Sequence, residues 1–332
     1  MPLALAAPLA ACTARTPAAG GPDTPVVLRL AHSLSDKHPT SVAIRGFADD
    51  LAERSSGRIT VEIFASGQLG SEGAVIGQMR QGIIDLVRAA SPSLASLHAG
   101  YHTFGLPFLF ETEEDMHTVM DSPEMEDFYR SSADLGFIGL THYTSGMRSF
   151  YTKSTPILTP EDLRGLKFRI QDMRSQTEMM KSLGGAPVVM SFGDTYTGLQ
   201  TGLIDGAESN ETVLTDSAHG EVAKVFSRTR HTCIPDVLLI SSAAWERLSP
   251  EDRDLVVDAA RASSLAHRDA WAESVAQAEE DAIAMGVEFL DDVDRTAFQE
   301  ATAEVAQSFA TEYAEVAELI DTIDRVLQEG SA

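Results

Sequence analysis

From Val26 onward the chain switches between two hydrophobic periods. VVLRLA (26–31), ITVEIF (59–64) and IIDLV (83–87) are short β-branched runs, the pattern of strands. Between the first two, Ala43, Phe47, Leu51 and Ala52 put apolar side chains on one face, and Gly57 closes the segment, so a helix is predicted there. A second helix is expected after Gly70, with Val75, Ile76 and Met79 on its apolar face and Gly82 as its stop. The sum is a βαβαβ unit, the opening of an α/β fold.

A second α/β region follows. Strands are predicted at 137–142, 148–152, 166–170, 187–190 and 237–240, and a capped helix at Thr112 with acids at the next three positions. Thr159-Pro160-Glu161-Asp162 and Ser249-Pro250-Glu251-Asp252 each place a hydroxyl at the N-cap, proline at the first helical position and acids in the first turn. From Ser249 no breaker occurs before Gly286, roughly 50 Å of helix at 1.5 Å per residue. That length predicts a helix running across two domains, followed by a strand at 287–290. One last helix is expected to bury Phe298, Val305, Phe309, Val316, Ile320, Ile323 and Leu327.

The 332 residues fit two domains, and 43% hydrophobic with 23% charged residues is the composition of a globular chain. No apolar run approaches the ~18 residues of a membrane span. The net charge of -25 disfavours a polyanion partner, so no nucleic-acid role is expected. Most of the excess acid lies after Ser249, with 21 Asp and Glu against five Arg, and is read as solvated helix surface.

Of the two cysteines, Cys12 closes an apolar stretch ending Leu9-Ala10-Ala11, which resembles the lipobox of bacterial lipoproteins and makes Cys12 a lipidation candidate. Residues 13–25, with Pro17, Gly20, Gly21, Pro22 and Pro25, read as a tether. A basic n-region is missing and the h-region is short. Cys233 then has no disulfide partner and is expected as a small buried apolar residue rather than a nucleophile.

HExxH, paired CxxC, GxxxxGK[ST], GxGxxG and GxSxG are all absent from the sequence. His98 and His102 form a close pair, but Gly100 between them argues against a helical metal site, and neither metal nor cofactor is expected. The middle third is rich in arginine: Arg148, Arg164, Arg169 and Arg174. In Leu166-Lys167-Phe168-Arg169-Ile170, alternation sends Phe168 and Ile170 to one face and Arg169 to the other. A guanidinium there is either surface charge or a planar fork held for a carboxylate.

The surrounding stretches SGMRSFYTKSTPILTPEDLRGLKFRI and LGGAPVVMSFGDTYTGLQTGLIDGAES closely resemble the substrate-binding subunits of TRAP transporters, the DctP family. DKHPTSVAIRGFADDLAERSSGRITVEIFASGQLGSEGAVIGQMRQGIIDL and LPFLF resemble the same family in the same order, so the likeness covers about 26–270. It implies a two-domain periplasmic-binding-protein-like (Venus-flytrap) α/β fold, closing over a small organic anion outside the cytoplasm. The domains implied are 26–145 with 236–275, and 146–235 with 276–332, after a signal and tether over 1–25.

On this resemblance Arg169 is the main carboxylate ligand, and Arg148 a second arginine reaching the same anion. Asn210 keeps a hydrogen bond to the ligand; Ser209 stands where the family usually has asparagine. Glu72 and His32 sit where the first domain offers polar contacts, and Gln171 and Asp236 would meet hydroxyl groups. Each also has a structural reading: Glu72 as a helix-start acid, His32 as a strand-end ring, Gln171 and Asp236 as loop residues. Tyr196 is expected to pack on its helix. The implied partners are a small-molecule carboxylate and the small and large TRAP membrane subunits, with a lipid anchor through Cys12 at the membrane surface.

RSFY (148–151), FRIQ (168–171) and IPDVLLIS (234–241) are similar to the branch that binds hexuronates, although Thr152 and Thr155 depart from it. C4-dicarboxylates, oxo acids and hydroxy-sulfonates remain alternatives. A ligand-sensing lipoprotein would use the same fold, and an enzyme acting on a similar acid lacks a nucleophile with a placed base.

Overall fold

The computed structural model describes residues 24–330. Cys12, the lipobox and most of the tether lie outside the described residues. In chain order the elements are β1 (Val26–Ala31), α1 (Pro39–Arg54), β2 (Ile59–Phe64), α2 (Glu72–Arg80), β3 (Leu86–Ala90), α3 (Glu113–Met120), α4 (Pro123–Arg130) and β4 (Phe137–Tyr143). Next come β5 (Met147–Thr152), β6 (Lys167–Ile170), α5 (Arg174–Ser182), β7 (Ala186–Val189), α6 (Thr195–Thr201), β8 (Gly206–Ser209), α7 (Val213–Asp216) and β9 (Val225–Cys233). The chain finishes with β10 (Asp236–Ser241), α8 (Ser242–Arg247), α9 (Pro250–Ala284), β11 (Glu288–Leu290), α10 (Arg295–Glu312) and α11 (Ala314–Gly330).

Two sheets result, one per lobe. The first has order β2-β1-β3-β10-β4, with β1, β2 and β3 parallel as the opening βαβαβ pattern predicts. The second has order β11-β9-β5-β8-β6-β7. The chain leaves the first sheet through 144–146 and returns through 234–235, so the fourth neighbour of the first sheet, β10, is antiparallel to both β3 and β4. The two crossings are tied to each other where the Ser145 hydroxyl donates to the Ile234 carbonyl at 2.7 Å.

The long helix α9 is the third connection. Val256, Ala259 and Ala260 on its first half pack with Leu28 and Phe47 under the first sheet, whereas Ala282 near its end joins Tyr151 and Phe226 under the second. At its middle, Trp271 packs on Gly146, where a Cβ would lie 3.0 Å from the indole and φ is +72°. Glycine is thus required at this crossing by both space and backbone.

Four expectations are corrected. The third strand begins at Leu86, three residues late, because Gly82 is left-handed and Ile83 stays exposed. The Thr159 start has its capping box to Asp162 but makes one 3₁₀ turn, Pro160–Leu163, since Gly165 at φ +80° must turn the chain into β6. The last helix is two: Tyr313 is extended, and α11 leaves the second sheet to bury Leu319, Ile323 and Val326 beside α3 in the first lobe. Strands β8 and β9 carry no apolar signal, because β9 buries Ser227, Thr229, His231 and Thr232 rather than hydrocarbon. No described helix is long and apolar enough to cross a membrane.

Candidate functional site

Strand β6 sends Phe168 and Ile170 into a core with Met179, Met180 and Phe298, which forces Arg169 onto the opposite face. The guanidinium is nonetheless 96% hidden, with 4% exposure. Its Nε donates to the Met190 carbonyl at 3.1 Å and its Cζ stands 5.8 Å from the Phe192 ring centroid. It has no ion pair among the described residues, and neither terminal amino group has a protein acceptor. Burial lowers its pKa, with Glu208, Tyr151 and Glu72 partly offsetting that. This is a desolvated fork with its bidentate edge unused, the arrangement that suits one carboxylate.

Arg148, on β5, is committed elsewhere. Its Nε and Nη2 reach the Glu208 carboxylate at 2.5 and 2.8 Å, and Nη2 also reaches the Glu208 carbonyl at 2.7 Å. Burial alone would raise the pKa of Glu208, but Arg148 and His231 pull it down to about 2. His231 sits 3.7 Å from that carboxylate and stacks on Phe150. Only Nη1 of Arg148 is left to meet a ligand.

The first lobe contributes a second charge cluster around Arg88, a residue that the apolar run at 83–87 hides. Arg88 lies on β3, buried on both faces of the sheet, and its Nε and Nη2 pair with Asp236 at the start of β10. Its Nη1 donates to Glu72 Oε2 at 3.3 Å. Glu72 is the first residue of α2, behind the Ser71 cap, and its Oε1 accepts from Ala90 N at 3.2 Å and from the Ser93 hydroxyl. Burial pushes the Asp236 carboxyl up to about 6 against the pull of Arg88.

The remaining expected residues divide. His32 is buried with both ring nitrogens unpartnered, and Gln171 has a buried Oε1 without a donor. The Ser209 hydroxyl makes no hydrogen bond among the described residues. Asn210 is spent on structure: Nδ2 donates to the Ser145 carbonyl at 2.7 Å, and Oδ1 accepts from Thr212 N and Oγ1 at 3.0 and 2.8 Å. Tyr196 points away to Glu221, at 2.9 Å. Cys233 is buried, and burial pushes its thiol up, which disarms it as a nucleophile.

The two clusters face each other. Glu72 of the first lobe acts electrostatically on Arg169 of the second, Asp236 acts on Arg148, and Ala90, Met173 and Ile234 share one small core between the lobes. A cavity of about 280 Å³ also lies on the outer side of the first lobe, between α4, β4 and α9. Its arginines are already matched, Arg268 to Asp121 at 2.6 Å and Arg261 to Glu126, so it offers no unpaired charge.

Behind the cleft, histidines scattered in sequence are gathered around α9. His117 Nδ1 and His142 Nε2 are 2.9 Å apart, and His38 and His267 both stack on Trp271. Burial, then neighbouring cations, lowers His32 to about 4, His38 to about 3 and His267 to about 3. These rings fold neutral and take protons only on unfolding, so their contribution is whole above 6.5 and lost as pH falls toward the folded values. His32 alone removes on the order of 3 kcal/mol by pH 4. Urea midpoints should therefore fall steadily from pH 7 to pH 4.5; a flat profile would mean the rings are already charged in the fold.

Two lobes joined by paired crossings and a shared helix, with an unpaired buried arginine facing a polar wall, define a ligand-binding protein that closes on a small anion. Residues 30–312 match bacterial extracellular solute-binding protein, family 7 (DctP), and the chain belongs to that family. Uncharacterized protein YiiZ of Salmonella typhimurium is 39% identical over 277 residues, covering 83% of this chain and 84% of its own. The 2,3-diketo-L-gulonate-binding periplasmic protein YiaO of Escherichia coli is 30% identical over 300 residues, covering 90% and 92%. Among solved structures, a TRAP periplasmic solute-binding protein from Anaerococcus prevotii with bound D-glucuronate superposes with a TM-score of 0.88 at 34% identity, covering 92% of this chain and 99% of that one.

Proposed function

We propose that the protein binds a hexuronate or a related sugar acid between its lobes and delivers it to the small and large membrane subunits of a sodium-coupled TRAP transporter. The observation that carries this is Arg169, a buried guanidinium whose two terminal amino groups lack protein acceptors. The likeness to proteins that bind D-glucuronate and 2,3-diketo-L-gulonate supports the choice of ligand. The ligand carboxylate takes Arg169, Arg148 Nη1 adds one donor, and hydroxyl groups meet Glu72, His32, Gln171, Ser209 and Asp236. Asn210 acts through the crossing it braces.

The lobes are 26–145 with 236–275, and 146–235 with 276–313, with 314–330 returning to the first; this division follows the two sheets and the packing of α11. Only a ligand touching both lobes favours the closed form, which the membrane partner reads. The protein performs no chemistry on its cargo, works outside the cytoplasm, and is held there through lipid on Cys12.

A thermal-shift screen of the purified protein against uronates, aldonates, C4-dicarboxylates, oxo acids and small sulfonates tests the reading. A ligand at ~100 times its dissociation constant adds about 2.7 kcal/mol of stability. A hexuronate is expected to give the largest shift; a shift confined to another acid class would overturn the ligand assignment, and no shift with any anion would overturn the transport role.

A further inference from the structure

The cleft holds three guanidiniums, Arg88, Arg148 and Arg169, and three carboxylates, Glu72, Glu208 and Asp236, so its formal charge is balanced before any ligand arrives. What matters for selectivity is how the forks are used. Arg88 has one edge on Asp236 and its remaining amino group on Glu72. Arg148 has its edge on Glu208. Arg169 alone presents an unused edge, so the protein is built to neutralise one anionic head.

We propose that Glu72 and Asp236, by holding Arg88, act as specificity determinants that admit monocarboxylic sugar acids and reject their dicarboxylic counterparts, the aldarates. The inference rests on the hexuronate reading above. A second ligand carboxylate reaching the first lobe finds no free fork. It meets Glu72 and Asp236 instead, and pulling Arg88 away would strand both buried acids. Glu72 is the more accessible of the two, with 22% of its side chain exposed against 1% for Asp236.

The unpartnered atoms point the same way. Gln171 Oε1 is a buried acceptor without a donor. A carboxylate only accepts, so it would leave that oxygen unpaired, whereas a hydroxyl donates to it. Glu72 likewise gains from a hydroxyl and loses against a carboxylate. The rejected group is thus the terminal carboxylate that distinguishes an aldarate from a uronate of equal length.

Isothermal titration of the full chain and of Glu72→Gln with D-glucuronate, D-glucarate and succinate at pH 7.5 decides the matter. With two like charges about 6 Å apart in an effective dielectric of about 20, the parent should prefer glucuronate over glucarate by about 100-fold or more. Glu72→Gln should narrow that ratio by about tenfold, mainly by gaining glucarate affinity. Glucuronate and glucarate binding with comparable affinity to the parent would overturn the inference and leave the hexuronate reading standing. An unchanged ratio in a folded Glu72→Gln would remove Glu72 from the role. Failure of the parent to bind any hexuronate would overturn the reading and the inference together, and should Glu72→Gln misfold, the parent's own ratio still decides.

Discussion

Truncation of Arg169 to alanine is expected to weaken ligand binding by about 2 to 5 kcal/mol, the usual loss when one side of a buried charge pair is removed. The unliganded protein, by contrast, should not lose stability. In the empty cleft the guanidinium is desolvated with a single carbonyl on Nε and no ion pair among the described residues, so its burial opposes its charge. Removing an uncompensated charge relieves that cost. The signature is a dissociation constant raised by roughly 30-fold or more while the ligand-free melting temperature holds or rises. Arg169→Lys should fall between the two, keeping the charge and losing the planar edge. Titration calorimetry and ligand-free melting curves measure both quantities. Binding within a factor of about two of the parent would take Arg169 out of the carboxylate role, since a buried pair is worth far more.

That residue was legible because its warning sign is local. Four consecutive positions of β6 alternate, and alternation alone exposes an arginine on the side opposite Phe168 and Ile170. The resemblance to a transporter family then gave the fork its ligand. Arg88 carries no such sign: the run 83–87 reads as a strand that stops before it, while the strand observed begins at Leu86 and buries Arg88 between Val87 and Ala89. Its partners are 16 and 148 residues away, a pairing that no spacing rule anticipates. Glu72 and Asp236 were visible as polar residues near the cleft, but only the fold shows that they are first of all the counter-charges of Arg88.

The same distinction runs through the architecture. The helix from Pro250 was readable from the absence of any glycine or proline, and its role as a bridge from its length. The break at Tyr313 was not, because no breaker residue marks it; α10 and α11 each keep an apolar face, and the chain parts there because those faces serve different lobes. Asn210 is the functional counterpart. Its side chain was expected on the ligand, yet Ser145 and Thr212 already occupy three of its hydrogen-bonding positions, which makes it a brace for the crossing.

Replacing Glu208 with alanine is expected to give the largest stability loss, about 3 to 5 kcal/mol, because it leaves Arg148 buried without its counter-charge. Glu208 has no exposed surface and holds two nitrogens of the fork, 60 residues away on the neighbouring strand. The pH profile carries the sign. With its carboxyl depressed to about 2 from 4.5, Glu208 stabilises the fold fully above 4.5, and that contribution disappears as pH falls toward 2. Chemical denaturation at pH 7.5 measures the loss, and the double variant Arg148→Met with Glu208→Leu isolates its origin. If the cost comes from a stranded charge, the double variant should be closer to the parent than Glu208→Ala is, since no charge is left unpaired. If the pair instead tunes the cleft, the double variant should fold and still bind the ligand carboxylate through Arg169 with only the single donor of Arg148 lost. A loss below about 1 kcal/mol in Glu208→Ala would place the pair in water rather than in the interior, and Arg148 would then be free to share the ligand's charge with Arg169.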